Sequence, residues 1–228
     1  MVVGQNDRTP AAFTADSTYL WTFDTQFDSI GVSPGAYLLA HPGKNLAAID
    51  SDATSTLYWG LATDTTALTA NTAPAVSGGV VSLYPYTFVY GSDGYVAWSV
   101  PNSPDDWVST GSGDAYVTGQ KIVAALPLRA GPGNAPAGLF WSLDSLIRGT
   151  FVGGDPVFQF DTLTSQSSIL SSQSPIEYDG IFYWVGVDRF LMFNGVVREI
   201  PNQLNQNWFF DNLNYAQRQK VFAYKVPR

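Results

Sequence analysis

The feature that most constrains the fold is residues 178–202, where short aromatic and β-branched runs alternate with turn-forming residues. Residues 181–185 have the composition that suits a pleated, half-buried strand. Asn194-Gly195 is a strong hairpin signal, and Pro201 ends the run that returns from this turn. The stretch therefore predicts an antiparallel meander of two or three strands joined by tight turns.

Weaker copies of this pattern occur upstream. Residues 88–98 contain a Ser-Asp-Gly turn between two apolar runs, residues 139–148 place Asp144 at the turn, and residues 19–24 and 57–60 are more degenerate copies. The copies are anchored by five aromatic residues at spacings near the length of a four-stranded propeller blade: Trp21, Trp59, Tyr90, Trp141 and Trp184. We therefore predict an all-β fold, a β-propeller-like array of antiparallel meander blades that is incomplete or closed by another segment. A β-sandwich is the alternative.

The composition supports a strand-and-turn protein whose outer surface is occupied by neighbours. Charged residues make up only 13% of the chain and aromatic residues 14%, whereas a soluble domain usually has about a quarter charged residues. The absence of cysteine excludes disulfides, thiolate metal sites and a cysteine nucleophile. The start of the chain has no signal-peptide pattern, and no apolar run reaches membrane-spanning length, so we expect no membrane partner.

Charge is distributed unevenly along the chain. Residues 1–118 carry eleven acidic and two basic residues, whereas residues 119–228 carry eight acidic and nine basic residues. The acidic part argues against tight general binding to nucleic acid, which requires clustered lysine and arginine. It is compatible with a surface along which DNA slides without adhering.

The chain is predicted to consist of three segments. Residues 1–16 are an irregular lead-in, residues 17–200 form the propeller-like β domain, and residues 201–228 add a short helix and a terminal strand that complete the domain. Three loops are expected to be exposed and available for subunit contacts: 101–114, 130–136 and the Ser/Gln-rich segment 165–174.

The search for chemistry returns no catalytic residue, no metal site and no cofactor site. His41 is the single histidine and precedes Pro42, which indicates a turn. The Gly-x-Ser-x-Gly pattern at 31–35 is also interpreted as a turn, because a proline follows the serine and no helix follows. The acidic pairs Asp50/Asp52 and Asp105/Asp106 lack the rest of a calcium-binding loop.

Glu177 and Asp179 are the remaining candidate carboxylate pair, of the kind that a glycosidase uses. Asp179-Gly180 more simply predicts a turn. We therefore expect a protein that is not an enzyme.

Seven collinear blocks in residues 138–228 resemble the tail nozzle or packaged-DNA-stabilisation proteins of tailed-bacteriophage virions, a propeller-bearing family. The blocks are Gly138–Ile147, Ser168–Ser171, Ile176–Trp184, Gly186–Leu191, Asn194–Glu199, Asn207–Asn214 and Gln217–Phe222. Residues 89–94 and 117–122 look like an upstream continuation of the resemblance, and residues 1–80 match only loosely.

The resemblance implies a non-enzymatic component of the phage tail in the virion. Several copies would form a homo-oligomeric ring around the DNA channel, in contact with other tail or connector proteins and transiently with genomic DNA. The family's chains continue with a further strand, so another chain or segment would close the propeller. The expected core and interface residues are Trp141, Phe182, Trp184, Phe190, Trp208 and Phe209.

Two other classes of function stay open at this point. A carbohydrate-binding β module would use loop tyrosine and tryptophan rings as stacking platforms for a host glycan. A glycosidase would depend on Glu177.

Overall fold

Short runs of β-branched and aromatic residues, punctuated by glycine, proline and aspartate, form an all-β structure. The computed structural model describes residues 20–29, 35–44, 57–59, 67–69, 76–104, 106–129, 135–201 and 206–226. It contains four antiparallel sheets of four strands, and in every sheet strands that follow each other in sequence are hydrogen-bonded neighbours. The predicted all-β class and its four-stranded meanders are therefore confirmed. The predicted lead-in at 1–16 lies outside the described residues.

The chain divides into two compact units, Met1–Tyr116 and Val117–Arg228. This division falls within the 17–200 segment that the sequence predicts as one β domain. The first unit holds two sheets. Its strands are β1 (Thr22–Asp28), β2 (Gly35–His41), β3 (Leu57–Trp59) and β4 (Ala67–Thr69), then β5 (Gly79–Leu83), β6 (Tyr86–Tyr90), β7 (Tyr95–Trp98) and β8 (Gly113–Tyr116).

The second unit holds the other two sheets and the helices near the C-terminus. Its strands are β9 (Ile122–Pro127), β10 (Ala137–Ser142), β11 (Leu146–Phe151) and β12 (Phe158–Thr164), then β13 (Ile176–Tyr178), β14 (Ile181–Val185), β15 (Phe190–Phe193) and β16 (Val197–Glu199). A short helix, α1, spans Gln206–Asp211, and a 3-10 helix follows at Tyr215–Lys220.

The predicted meander at 178–202 is present as strands β14 to β16, with β13 added in front. Residues Asp179 (φ 54°) and Gly180 (φ 76°) both have positive φ and form the tight turn between β13 and β14. Phe193 pairs with Val197, so the Asn-Gly signal produces a three-residue hairpin loop in which Gly195 has φ 103°. Glycine accepts this left-handed conformation without the steric cost that a Cβ atom imposes.

The assignment of aromatic anchors to blades needs one correction. Trp59 lies in β3, and Trp21 immediately precedes β1 of the same sheet. The five anchors therefore fall in four sheets, and the two degenerate upstream copies of the pattern belong to one meander. Each short copy marks the end of a strand. One meander contains several strand ends, so it can contain more than one copy.

Two further expectations differ from the structure. The terminal strand predicted at 221–226 is not formed: these residues have no regular secondary structure, although Val221 is extended. The Ser/Gln-rich segment 165–174 is not an exposed connection, because five of its residues are buried: Ser167, Ile169, Leu170, Ser171 and Ser174. The hydroxyls of Ser168, Ser171 and Ser174 form hydrogen bonds with backbone groups.

Candidate functional site: the junctions between neighbouring sheets

The second unit joins its two sheets through an aromatic core. Trp141 on β10 and Trp184 on β14 are both buried, and their rings meet edge to face with centroids 5.7 Å apart and an interplanar angle of 70°. Phe182 lies 6.2 Å from the Trp141 ring and 6.4 Å from that of Phe193. Such edge-to-face and tilted pairs add to the free energy gained from burial alone. Trp141, Phe182 and Trp184 therefore form one cluster between the sheets.

Strand alternation explains why these residues reach the junction. On β14, Phe182 and Trp184 are buried while the residues between and beside them are only half-buried, as expected for a period of two. The indole N–H of Trp184 donates to the carbonyl oxygen of Ser168 at 3.1 Å. The Ser168 hydroxyl also accepts from the Val187 amide at 3.0 Å. The segment 165–174 thus fixes the orientation of the tryptophan.

The other three predicted core residues occupy a second cluster or the surface. Phe190 on β15 contacts Phe209 and Phe210 of α1, with ring centroids 5.3 Å away in both cases. Trp208, by contrast, is 68% exposed, so its assignment to a core is wrong for this chain by itself. The buried residue of α1 is Phe210, which the sequence analysis did not select. In a helix of six residues, a rotation by one position changes which ring faces the core. The sequence does not determine that rotation.

The first unit joins its two sheets with a polar bridge. Thr22, Asp24 and Gln26 alternate along β1, so their side chains share one face. The Asp24 carboxylate accepts from the Ser82 amide of β5 at 2.7 Å, and Thr22 Oγ1 accepts from the Val80 amide at 3.3 Å.

Gln26 completes the polar bridge. Its Oε1 atom accepts from the Ser82 hydroxyl, and its Nε2 atom donates to the Pro85 carbonyl at 2.8 Å. The side chain is only 3% exposed, so both ends of the amide are satisfied away from water. An apolar cluster accompanies the bridge, with Tyr37 and Leu39 of β2 against Val80 and Val89 of the second sheet.

Burial raises the pKa of the Asp24 carboxyl, while the hydrogen bonds from the Ser82 and Thr25 amides oppose that shift. Desolvation disfavours the charged form, and the amide donors favour it. The sequence analysis missed this bridge. The Thr-x-Asp-x-Gln alternation of β1 was its only signal, and alternation of that kind is as common on solvent-facing strands.

The residues considered for chemistry have structural roles. His41 is buried at the end of β2, and its Nδ1 atom accepts from the Gly43 amide at 3.0 Å, as expected of a turn residue. The Glu177 carboxylate accepts from the Gly180 amide at 2.8 Å and so stabilises the turn that contains Asp179. The hydrogen bond from the Ser109 side chain, together with those from the Ser109 and Val108 amides, lowers the pKa of the Asp106 carboxyl.

The remaining candidates, Asp50, Asp52, Asp105 and the pattern at 31–34, lie outside the described residues. In the described part of the chain, no three acidic, histidine or cysteine side chains lie close enough together to hold a metal ion. No helix among the same residues has the length and apolar character needed to cross a bilayer.

Comparison with known proteins adds no family. No protein-family model matches the chain, and no curated protein matches it significantly. The chain's own junctions and surfaces therefore indicate its function. These are two pairs of meanders, one pair joined by aromatic rings and the other by a polar bridge and an apolar cluster.

Proposed function

We propose that this chain is a structural protein of a tailed-phage virion, a ring-forming component of the tail nozzle or tail tip. It would line the channel through which the genome passes and help to retain or conduct DNA. Its partners would be further copies of itself, other tail or connector proteins and, transiently, genomic DNA. It would act through assembly rather than catalysis.

One observation carries this proposal: the blocks that resemble the phage family contribute strands to both sheets of the second unit. Gly138–Ile147 contributes most of β10 and the start of β11, and Ile176–Trp184 contributes β13 and most of β14. Both tryptophans of the aromatic core come from these two blocks. The resemblance therefore concerns the framework of the unit rather than scattered surface positions.

Charge supports the same proposal. The first unit carries eleven acidic and two basic residues. A like-charged wall repels the phosphate backbone, so DNA in contact with such a wall slides rather than binds. A charged-residue content of 13% also suits a protein whose surface is largely covered by neighbours.

The test is to look for the chain in particles. Mass spectrometry of purified virions, combined with immunogold labelling in the electron microscope, should find the chain at the tail tip in several copies per particle. Negative-stain images of the purified chain should show closed rings with a central channel. Particles that contain no copy of the chain would overturn the proposal.

A carbohydrate-binding module is a second candidate, favoured by the exposed ring of Trp208. Flat exposed aromatic rings are the usual stacking platform for sugars. A glycan array should then show binding that Trp208→Ala abolishes. A silent array would leave the virion proposal as the better account.

A further inference from the structure

Residues 221–226 present an apolar stripe that the junctions between sheets do not use. Phe222, Tyr224 and Val226 are 67%, 70% and 67% exposed, whereas Val221 and Ala223 are half-buried. The rings of Phe222 and Tyr224 lie 6.0 Å apart. Three large apolar side chains in line are a feature of interaction surfaces rather than of surfaces that contact only water. We call residues 222, 224 and 226 the C-terminal stripe.

The C-terminal stripe is held in place by its own unit. The Ala223 amide donates to the Gln173 carbonyl at 3.0 Å, and the Ser171 hydroxyl donates to the Val221 carbonyl. The Lys225 ammonium lies 4.6 Å above the centre of the Tyr178 ring. A segment already fixed in this way loses less conformational entropy when it binds a partner.

The first unit has a second apolar stripe, on β1. The polar bridge requires Thr22, Asp24 and Gln26 to face the neighbouring sheet, so Phe23 and Phe27 face outward and are 58% and 49% exposed. Trp21 stacks on Phe23 with ring centroids 6.2 Å apart. We call residues 21, 23 and 27 the β1 stripe.

One ring pair in each stripe has nearly the same spacing: the centroids lie 6.2 Å apart for Trp21 and Phe23 and 6.0 Å apart for Phe222 and Tyr224, whereas Phe27 lies four residues beyond Phe23. Phe23 and Phe27 lie on a β-strand, and the C-terminal stripe is built from alternate residues of a segment that is extended at Val221. Alternate side chains on an extended backbone are about 6.6–6.8 Å apart. The ring pair of one stripe can therefore pack against the ring pair of the other.

The two stripes also lie in parts of the chain that differ in charge. Residues 206–226 contain three basic residues and one acidic residue, whereas Met1–Tyr116 contain eleven acidic and two basic residues. In the described part of the first unit, Lys44 is the single basic residue, and it is buried. The two parts of the chain thus have opposite net charge, which favours the association of a stripe from each.

We infer that the C-terminal stripe of one copy docks on the β1 stripe of a second copy. Because the two stripes are different surfaces of one chain, the contact is head to tail, and such contacts produce a ring when the rotation between copies closes. The inference rests on the proposed ring assembly and names the surfaces that would join its copies.

Nucleic acid is a less suitable occupant of the C-terminal stripe. Binding to the phosphate backbone requires several lysine and arginine side chains directed at it. Residues 206–226 hold three basic residues, of which Lys225 already contacts Tyr178, and the three outward side chains of the stripe carry no charge. A second copy offers both the apolar surface and the opposite charge.

Complementation between two defective variants gives the sharpest test. One variant carries Phe222→Ser and Tyr224→Ser, and the other carries Phe23→Ser and Phe27→Ser. Each loses one of the two stripes, so self-association should weaken by about 100-fold or more for each variant alone. A mixture retains one intact pair of stripes and should form a 1:1 dimer that cannot grow, as light scattering after gel filtration would show.

The control replaces exposed apolar side chains outside both stripes. A variant with Leu143→Ser, Val152→Ser and Val196→Ser should associate as the unmodified chain does. All variants should keep their thermal midpoints, because substitutions of exposed side chains change stability little. The inference is overturned if the unmodified chain stays monomeric, if either stripe variant still assembles normally, or if the mixture remains monomeric.

Photocrosslinking identifies the contact directly. A benzophenone amino acid at position 224 should crosslink to peptides around Trp21–Phe27 of an isotope-labelled second copy. The same chain should be irradiated in the presence of duplex DNA. Crosslinking to DNA, or to peptides of the second copy away from the β1 stripe, would overturn the inference.

These outcomes are separable from those for the proposed function. Rings that persist without the C-terminal stripe would overturn the docking mode and leave the virion proposal standing. Absence of the chain from particles would overturn the virion proposal, whereas the docking of the two stripes is decided with purified chains.

Discussion

The two units use different side-chain chemistry to join neighbouring sheets. Each joins two neighbouring meanders, but the second unit places Trp141 against Trp184, whereas the first unit places Asp24 and Gln26 of one sheet against Ser82 of the next beside its apolar cluster. Apolar burial is non-directional and tolerates small shifts between sheets. Hydrogen bonds require their partners within a few tenths of an ångström and so fix the register.

The comparison also predicts how the two junctions respond to change. The aromatic junction should be sensitive to the loss of volume and insensitive to pH. The polar bridge should be sensitive to the loss of single atoms and to the charge on Asp24, whose pKa is raised by burial. Hydrogen exchange read by mass spectrometry assigns stability to each unit separately, because peptides report locally.

The largest effect is expected from Trp184→Ala. Removal of a fully buried tryptophan leaves a cavity between the sheets and should destabilise the second unit by about 3–5 kcal/mol. That loss is comparable to the stability of a typical domain, so the protein should be insoluble or fail to assemble. Soluble yield and urea unfolding measure the effect.

Trp208→Ala is the matched control for that substitution, because the Trp208 side chain is mostly exposed. Its cost to stability should stay within about 0.5 kcal/mol. A soluble, normally assembled Trp184→Ala protein would contradict the assignment of the aromatic core as the junction of the second unit.

The next effect is expected from Gln26→Ala in the polar bridge. The substitution leaves the Pro85 carbonyl and the Ser82 hydroxyl without the partner that they have now, at a cost of about 1–3 kcal/mol. Faster exchange should appear in peptides of the first unit only. Gln159→Ala removes an exposed amide that bonds to Asp161 and should change exchange very little. Equal effects of the two substitutions would show that the bridge does not stabilise the junction.

The two kinds of junction were not equally predictable from sequence. Aromatic runs bounded by turn residues identify strands such as β14 and rings such as Trp184, because burial of large apolar groups dominates folding. The polar bridge was missed, because Thr, Asp and Gln on alternate positions are typical of a solvent-facing strand. The buried segment 165–174 was misjudged for the same reason: its serines bond to backbone groups of other elements, and sequence pattern does not specify such partners. The core position predicted for Trp208 is wrong for the isolated chain, because the orientation of a short helix depends on tertiary contacts, and its interface role stays a prediction.

The pH dependence of the first unit should depend on Asp24. Its folded-state pKa is raised, so its contribution to stability is greatest below the unfolded pKa of about 4 and is lost as pH rises through the folded pKa. An asparagine at this position cannot ionise, so Asp24→Asn removes this dependence of stability on pH. The substitution also lowers the free energy of unfolding by about 1 kcal/mol, because one amide donor loses its acceptor. The free energy of unfolding of the unmodified chain, minus that of Asp24→Asn, should therefore fall as pH rises from about 4. A difference that grows with pH would contradict the buried position of this carboxyl.

The smallest effect is expected from Asp161→Asn. Its effect on stability should change with pH in the opposite direction to that of Asp24→Asn. Asp161 on β12 pairs with Arg148 on β11 at 3.1 Å, and the hydrogen bond from this guanidinium lowers the pKa of the Asp161 carboxyl. Both side chains are about two-fifths exposed, so the pair should contribute under about 1 kcal/mol, and less in high salt. Because the folded-state pKa is lowered, this contribution is present above the unfolded pKa of about 4 and is lost as pH falls through the folded value. Unfolding measured from pH 3 to 7 should thus give opposite slopes for the two carboxyls, one largely desolvated between sheets and the other about two-fifths exposed within a sheet. Parallel slopes would show that burial does not distinguish them.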